Sequence, residues 1–148
     1  MGPIRTTLRW LARILLPVAL VASAALAAEP PGESDRAAIR DVISRQLEAF
    51  RRDDGPTAFG FAAPVIRRHF GDADTFMAMV RNGYEPLHRS SDFAFRDLRQ
   101  VDDVVIQRVH VVGRDGAEVT AVYVMQRQPD GSWRIAGCTL AAPELRST

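Results

Sequence analysis

Four strand-like runs in the second half of the chain, two pairs of them joined by Asp-Gly turns, constrain the fold more than any other feature. Phe93 to Val101, Val104 to Val112, Glu118 to Gln128 and Ser132 to Ala141 are rich in β-branched and aromatic residues. Arg114-Asp115-Gly116 and Pro129-Asp130-Gly131 lie between consecutive runs, and Asp-Gly tolerates the positive φ that tight hairpins demand. The pattern predicts an antiparallel meander. Val119, Ala121, Tyr123 and Met125 alternate with Thr120, Val122 and Val124, so neither face of the middle strands reads as a plain solvent face. Both faces therefore need a cover.

The first half supplies one. Ile39, Val42, Ile43, Leu47 and Phe50 fall on one stripe of an amphipathic helix. Ser34 or Asp35 is placed to cap its start, and Gly55-Pro56 to stop it. Asp41 with Arg45 and Glu48 with Arg52 are acid-before-base pairs one turn apart, which support the helix and make no site. A short helical piece starting at Pro56 carries Phe59 and Ala62 and ends at Pro64. Val65, Ile66 and Phe70 predict another turn before Gly71, and Asp72 or Asp74 caps a third helix with Phe76, Met79 and Val80. Met77 and Met79 read as core filling rather than as a ligand lining. Helices first and strands afterwards give an α+β domain, with the N-terminal helices packed on one face of a curved antiparallel sheet.

The N-terminus reads differently from this domain. Arg5, Arg9 and Arg13 precede an uncharged apolar run from Ile14, and Ala25-Leu26-Ala27 offers the small residues that a signal peptidase reads. The expected organisation is a signal peptide over 1–27, a linker over 28–33 and a single α+β domain over 34–148. The apolar run is short for a membrane span and contains Pro17, so no stable membrane anchor is expected and the mature chain would be periplasmic or secreted. Basic and acidic residues nearly balance, 19 against 18, and every basic residue is arginine. With Asn82 the only asparagine, this looks like coding bias, so the arginines are no argument for phosphate recognition. Loss of residues 1–27 removes three arginines and leaves a mildly acidic domain without an electrostatic footprint for nucleic acid. Cys138 is the only cysteine, so an intrachain disulfide is excluded.

Several pieces in order resemble a known family. Phe59-Gly60-Phe61-Ala62-Ala63-Pro64, Phe70-Gly71, Met79-Val80-Arg81, Gly83-Tyr84-Glu85-Pro86 and Trp133-Arg134-Ile135-Ala136-Gly137-Cys138 are similar to domain of unknown function 4864. That family consists of small exported bacterial proteins. The long helix, shorter helices and curved sheet also resemble the cone-shaped nuclear transport factor 2-like superfamily. The resemblance implies fold and export; it brings no chemistry, since isomerases, dehydratases, epoxide hydrolases and plain binding modules share the cone.

Candidates for chemistry have to stand alone. His69, His88 and His110 are the only histidines and show no metal-ligand spacing, so neither metal nor cofactor is expected. Asp97 shares strand parity with Phe93 and Phe95, which would turn it inward as an acid/base group; the alternative is a rim aspartate paired with Arg96 or Arg99. Tyr84 and Tyr123 can donate to a developing oxyanion, or simply pack with a wet hydroxyl. His110 shares a face with Arg108 opposite Val109 and Val111, and lies outside if the valines point to the core. Cys138 reads as a small buried hydrophobe, and Trp133 as the chief ring of the sheet core.

The leading expectation is a non-enzymatic module that binds a small apolar ligand or a partner protein. Its pocket is expected to be lined by Phe59, Phe76, Val80, Phe95, Trp133 and Ile135, beside Tyr84. The rival is a cofactor-independent isomerase, lyase or hydrolase using Asp97 and Tyr84, with Tyr123 or His110. Two partly apolar sheet faces and one layer of helices also predict a homodimer through the sheet.

Overall fold

The structure is a computed structural model that describes residues 29–143. The expected signal peptide over 1–27 lies outside the described residues. Five helices precede four strands: α1 (Glu33–Arg51), α2 (Gly55–Gly60), α3 (Pro64–Phe70), α4 (Ala73–Gly83), α5 (Glu85–His88), β1 (Ser90–Val101), β2 (Val104–Gly113), β3 (Glu118–Arg127) and β4 (Trp133–Ala141). The strands form one antiparallel sheet in the order β1-β2-β3-β4, the expected α+β meander. No helix among the described residues is long and apolar enough to cross a membrane.

The hairpins form where the turn chemistry permits. Gly116 and Gly131 take positive φ of 81° and 86°. Asp115 and Asp130 accept the backbone N–H groups of Ala117 and Ser132 two residues on. The β1–β2 connection is the two-residue turn Asp102-Asp103, with Asp102 itself at φ 52°.

The alternation along β2 and β3 divides the sheet. Val105, Gln107, Val109 and Val111 on β2 and Ala121, Tyr123 and Met125 on β3 are buried on the inner face. Against it α1 lays Ile39, Ile43, Leu47 and Phe50, all buried. Each such side chain contributes about 1.5–3 kcal/mol when fully buried. The outer face carries Val104, Ile106, Val112, Val122 and Val124, all partly exposed.

Two details of the helical half differ from expectation. The first helix ends at Arg51 with Asp53, not Gly55, in the left-handed region at φ 52°. An aspartate tolerates that conformation, and here it is held: Asp53 Oδ1 meets His88 Nε2 at 2.5 Å, while Arg81 and Arg89 lie within ion-pair distance. The His88 hydrogen bond keeps the Asp53 carboxyl below its ordinary value. Gly55 instead opens α2, where Asp54 caps by accepting from Thr57 N–H. At that point α2 passes so close to α4 that a Cβ on Gly55 would lie 2.9 Å from Met77 Cγ. The start of α1 differs too. No side chain caps it, and Asp35 accepts a hydrogen bond from the Trp133 indole at 3.1 Å, tying the helix to β4.

Gly55→Ala is expected to cost about 1–3 kcal/mol in urea-induced unfolding, because the buried Met77 side chain would have to shift to admit the new Cβ. Gly60→Ala, with nothing within 4 Å of its added Cβ, is expected to leave stability unchanged or raise it. Equal losses at the two positions would contradict the close-approach reading.

Candidate functional site

A cavity of about 370 Å³ opens between the helices and the β3–β4 half of the sheet. Its wall is shared by α1, α3, α4 and α5 and by strands β3 and β4. The long helix α1 crosses the inner face from β4 to β1, α3 packs on β4, and α4 packs on α2 and α5. The chain after α2 runs beside β4. Ala63 N–H donates to the Ile135 carbonyl at 2.8 Å and Ile135 N–H to the Phe61 carbonyl at 2.9 Å, which closes the edge of the sheet.

Apolar groups make most of the wall. Phe50 comes from α1, Ile66 and Phe70 from α3, Phe76, Met79 and Val80 from α4, Leu87 from α5 and Ile135 from β4. Phe76 is the hub of the rings, with centroids 6.2 Å from Phe50, 5.3 Å from Phe59 and 5.6 Å from Phe70. The polar members are Gln46, His69, Tyr84, Tyr123 and Cys138; no aspartate, glutamate or arginine is among the lining residues. His69 is exposed at the end of α3 and packs edge-on against Phe70. Gln46 is buried and donates from Nε2 to the Ala58 carbonyl.

The floor brings two phenols and a thiol together. Tyr84 sits between α4 and α5, steered by the Asp53–His88 contact just beyond it, and its hydroxyl donates to the Cys138 carbonyl at 2.8 Å. Tyr123 lies opposite Cys138 in the β3–β4 ladder and has no exposed surface. Among the described residues its hydroxyl has no hydrogen-bond partner. Burial pushes the Cys138 thiol up to about 12, and raises Tyr84 and, further, Tyr123 above the ordinary phenol value. All three stay protonated near neutrality, so the floor is uncharged and rich in donors.

The expected site residues divide accordingly. Phe76, Val80, Ile135, Tyr84 and Tyr123 line the cavity. Phe59, Phe95 and Trp133 do not. Phe59 stands behind Phe76, with the Arg67 guanidinium over its ring. Trp133 seals the start of β4 through Asp35 and lies under Arg127. Phe95 is on β1, at the opposite edge of the sheet from β4, and packs with Phe93 and Arg40 beside α1.

Asp97 is also corrected, and the cause is a β-bulge. Phe95 pairs with Val109 and Leu98 with Gln107, so β1 uses three residues where β2 uses two. The extra residue reverses the parity that would have turned Asp97 inward. Its carboxylate instead contacts Arg99 at 2.9 Å and Arg108 at 3.1 Å on the outer face. Buried Gln107 occupies the inner side of the bulge, donating from Nε2 to the carbonyls of Arg96 and Asp97. His110 is on the outer face as well, with Nε2 3.5 Å from Glu118 Oε1. Neither reaches the cavity, so the acid/base set of Asp97 or His110 with the tyrosines is not assembled. Among the described residues no group of three His, Cys, Asp or Glu side chains is placed to hold a metal ion.

Sequence reasoning missed Phe50, Ile66, Phe70, Met79, Leu87 and Cys138 as lining. Phe50 belongs to the predicted α1 stripe, and Ile66 and Phe70 to the predicted turn before Gly71. Their periodicity marks them as inward-facing, but only packing distinguishes a core from a cavity wall. The two methionines part company: Met77 is buried under Gly55, and Met79 faces the cavity.

Residues 32–148 match the model of the family described as Domain of unknown function (DUF4864). No curated protein matches the chain. Among solved structures, an NTF-2 like protein of unknown function from Burkholderia xenovorans LB400 is similar at 12% identity and TM-score 0.46, over 76% of this chain and 89% of that one.

Cys138 is expected to be alkylated by iodoacetamide at neutral pH far more slowly in the native protein than in urea. With its folded value raised, the neutral thiol's contribution to stability is present in full below the ordinary value of 9.0 and lost as pH rises from there through about 12. Cys138→Ala should therefore flatten, without abolishing, the alkaline fall in stability, since Tyr84 and Tyr123 add to the same limb. Native labelling as fast as that in urea would contradict the burial.

Proposed function

The chain belongs to the family of domain of unknown function 4864, and we propose that this member is an exported, non-enzymatic module that takes up a small apolar ligand. The observation that supports the reading is the cavity itself. A volume of about 370 Å³ is at the small end of the range for small-molecule sites, roughly 300–1,000 Å³. Its wall is rings and aliphatic chains, with polar groups confined to the floor and the His69 lip. A charged ligand would lose hydration there and meet no countercharge among the carboxylates and arginines, which all lie elsewhere. The export half of the proposal rests on the order of Arg5, Arg9 and Arg13, the apolar run and Ala25-Leu26-Ala27.

A second copy is the proposed cover for the outer sheet face. Val104, Ile106, Val112, Val122 and Val124 leave an apolar strip there, and charges of both signs border it. Asp97 lies with Arg99 and Arg108, and His110 faces Glu118, so a two-fold mate can set arginine against carboxylate in both directions. The cavity opens on the other side of the sheet and stays accessible in such a dimer.

The uncharged fluorophore N-phenyl-1-naphthylamine is expected to bind with one molecule per chain and a blue-shifted emission. Ile66→Glu and Met79→Glu, at half-buried positions that tolerate polarity, are each expected to weaken it at least tenfold by placing a carboxylate in the wall. Binding unchanged in both variants would remove the cavity as the site. Sedimentation at micromolar concentration is expected to give twice the mass of the mature chain, and Val124→Glu to halve it; a wild-type monomer would contradict the sheet-face dimer.

A further inference from the structure

Among the described residues, α3 is the one helix with no buried residue. Ile66 and Phe70 are half-buried and turn to the cavity, with His69 at its lip. The helical repeat sets Pro64, Val65 and Arg68 on the opposite side, where all three are exposed. Large hydrophobic residues are exposed at two places among the described residues, Val65 at 51% and Val101 at 50%. Val101 runs into the acidic turn Asp102-Asp103, whereas Val65 is followed by Arg67 and Arg68.

Charge around Val65 has one sign. No acidic residue occurs from Gly55 to Phe70. The arginines of the Asp53 cluster and of the outer sheet face lie against carboxylates, but among the described residues no carboxylate is within ion-pair distance of Arg67 or Arg68. Arg67 rests over the Phe59 ring, 5.5 Å from its centroid. The first acids after the helix are Asp72, engaged in capping α4 through Thr75 N–H, and Asp74. Cations in a last turn suit the carbonyl end of a helix, which accounts for their sign. It does not account for Pro64 and Val65, which face solvent beside them.

We propose that the Pro64-Val65-Arg68 face of α3, with Arg67 at its flank, docks on an anionic lipid bilayer. Val65 enters the headgroup layer and the two guanidiniums meet its phosphates. The argument for the partner is charge complementarity together with the shape of the face, and it uses the sign of the two residues, not the choice of arginine over lysine. A stable protein interface takes about 800 Å² from each partner, matched in shape. A convex helix of 7 residues, with one valine, one proline and two arginines outward, does not supply that. A fluid anionic surface needs no matched shape. Docking also brings the cavity lip at His69 towards the lipid, so that an apolar ligand can pass between bilayer and cavity without crossing water. That consequence rests on the ligand-binding reading of the cavity; the docking itself does not.

The test uses the chain without residues 1–27, because the apolar run from Ile14 would partition into lipid by itself. The whole described domain is retained. The wild-type chain is expected to co-sediment with phosphatidylglycerol vesicles and not with phosphatidylcholine vesicles, and to be released in about 0.5 M salt. Arg68→Glu is expected to lower the partition coefficient roughly tenfold, and Val65→Ser about threefold. Arg114→Glu, an equal charge reversal at the exposed β2–β3 hairpin, is expected to change it little. None of these residues lines the cavity, so all three variants are expected to bind N-phenyl-1-naphthylamine in solution as the wild type does. A wild-type chain that ignores phosphatidylglycerol vesicles overturns the docking, and is the result expected if the mate is an acidic protein surface. Equal losses in Arg68→Glu and Arg114→Glu also overturn it, since the attraction would then belong to net charge and not to α3. Failure of the wild type to bind the fluorophore overturns the cavity reading and leaves the vesicle result to decide the docking.

Discussion

A single layer of helices laid on one face of a four-stranded sheet determines what the rest of this molecule can do. The inner face has to be sealed, and α1 seals its centre with Ile39, Ile43, Leu47 and Phe50 against Val105, Val109, Ala121 and Tyr123. The helix crosses the sheet from β4, where Asp35 meets Trp133, to β1, where Arg51 meets Ser90. The shorter α3 packs on β4 and α4 on α2 and α5, and the cavity lies between α1 and these shorter helices, above β3 and β4. The opposite face of the sheet is left apolar and half-exposed.

Several polar contacts act as braces for that gap rather than as chemistry. Asp35 joins α1 to β4 through the Trp133 indole and to β3 through Arg127. Asp53, with His88, Arg81 and Arg89, ties the end of α1 to α4 and α5 and so fixes Tyr84 at the cavity floor. Both carboxyls are held below their ordinary value by these partners, with the indole and imidazole hydrogen bonds first among the causes. Folded values lowered in this way mean that the contributions are present above about pH 3.8 and are lost as pH falls below it. The cavity wall should thus loosen in acid and hold at neutrality.

Much of this architecture was legible from residue order. The Asp-Gly turns set the hairpins, the α1 stripe set the inner seal, and the alternation along β3 exposed the problem of two apolar faces. Within the site, Phe76, Val80, Ile135, Tyr84 and Tyr123 were legible because periodicity turned them inward. What failed did so for local physical reasons. Parity arguments assume an unbroken ladder, and the bulge between Phe95 and Leu98 carried Asp97 to the other face. Glycine before proline suggests a helix stop, yet Gly55 is needed for the approach of Met77 while Asp53 makes the turn. Asp35 has the chemistry of a cap and is used as the partner of an indole 98 residues away. Long-range partners of that kind leave no mark in a local pattern.

The central claim is that the space between the two groups of helices is a binding site for a small, uncharged apolar molecule. Native mass spectrometry of protein isolated from its own compartment addresses it directly. A fraction of the protein is expected to carry a small organic molecule that is released on denaturation and, once extracted, partitions into organic solvent at neutral pH. A bound species that is anionic or strongly hydrophilic at that pH, seated in the same cavity, would contradict it.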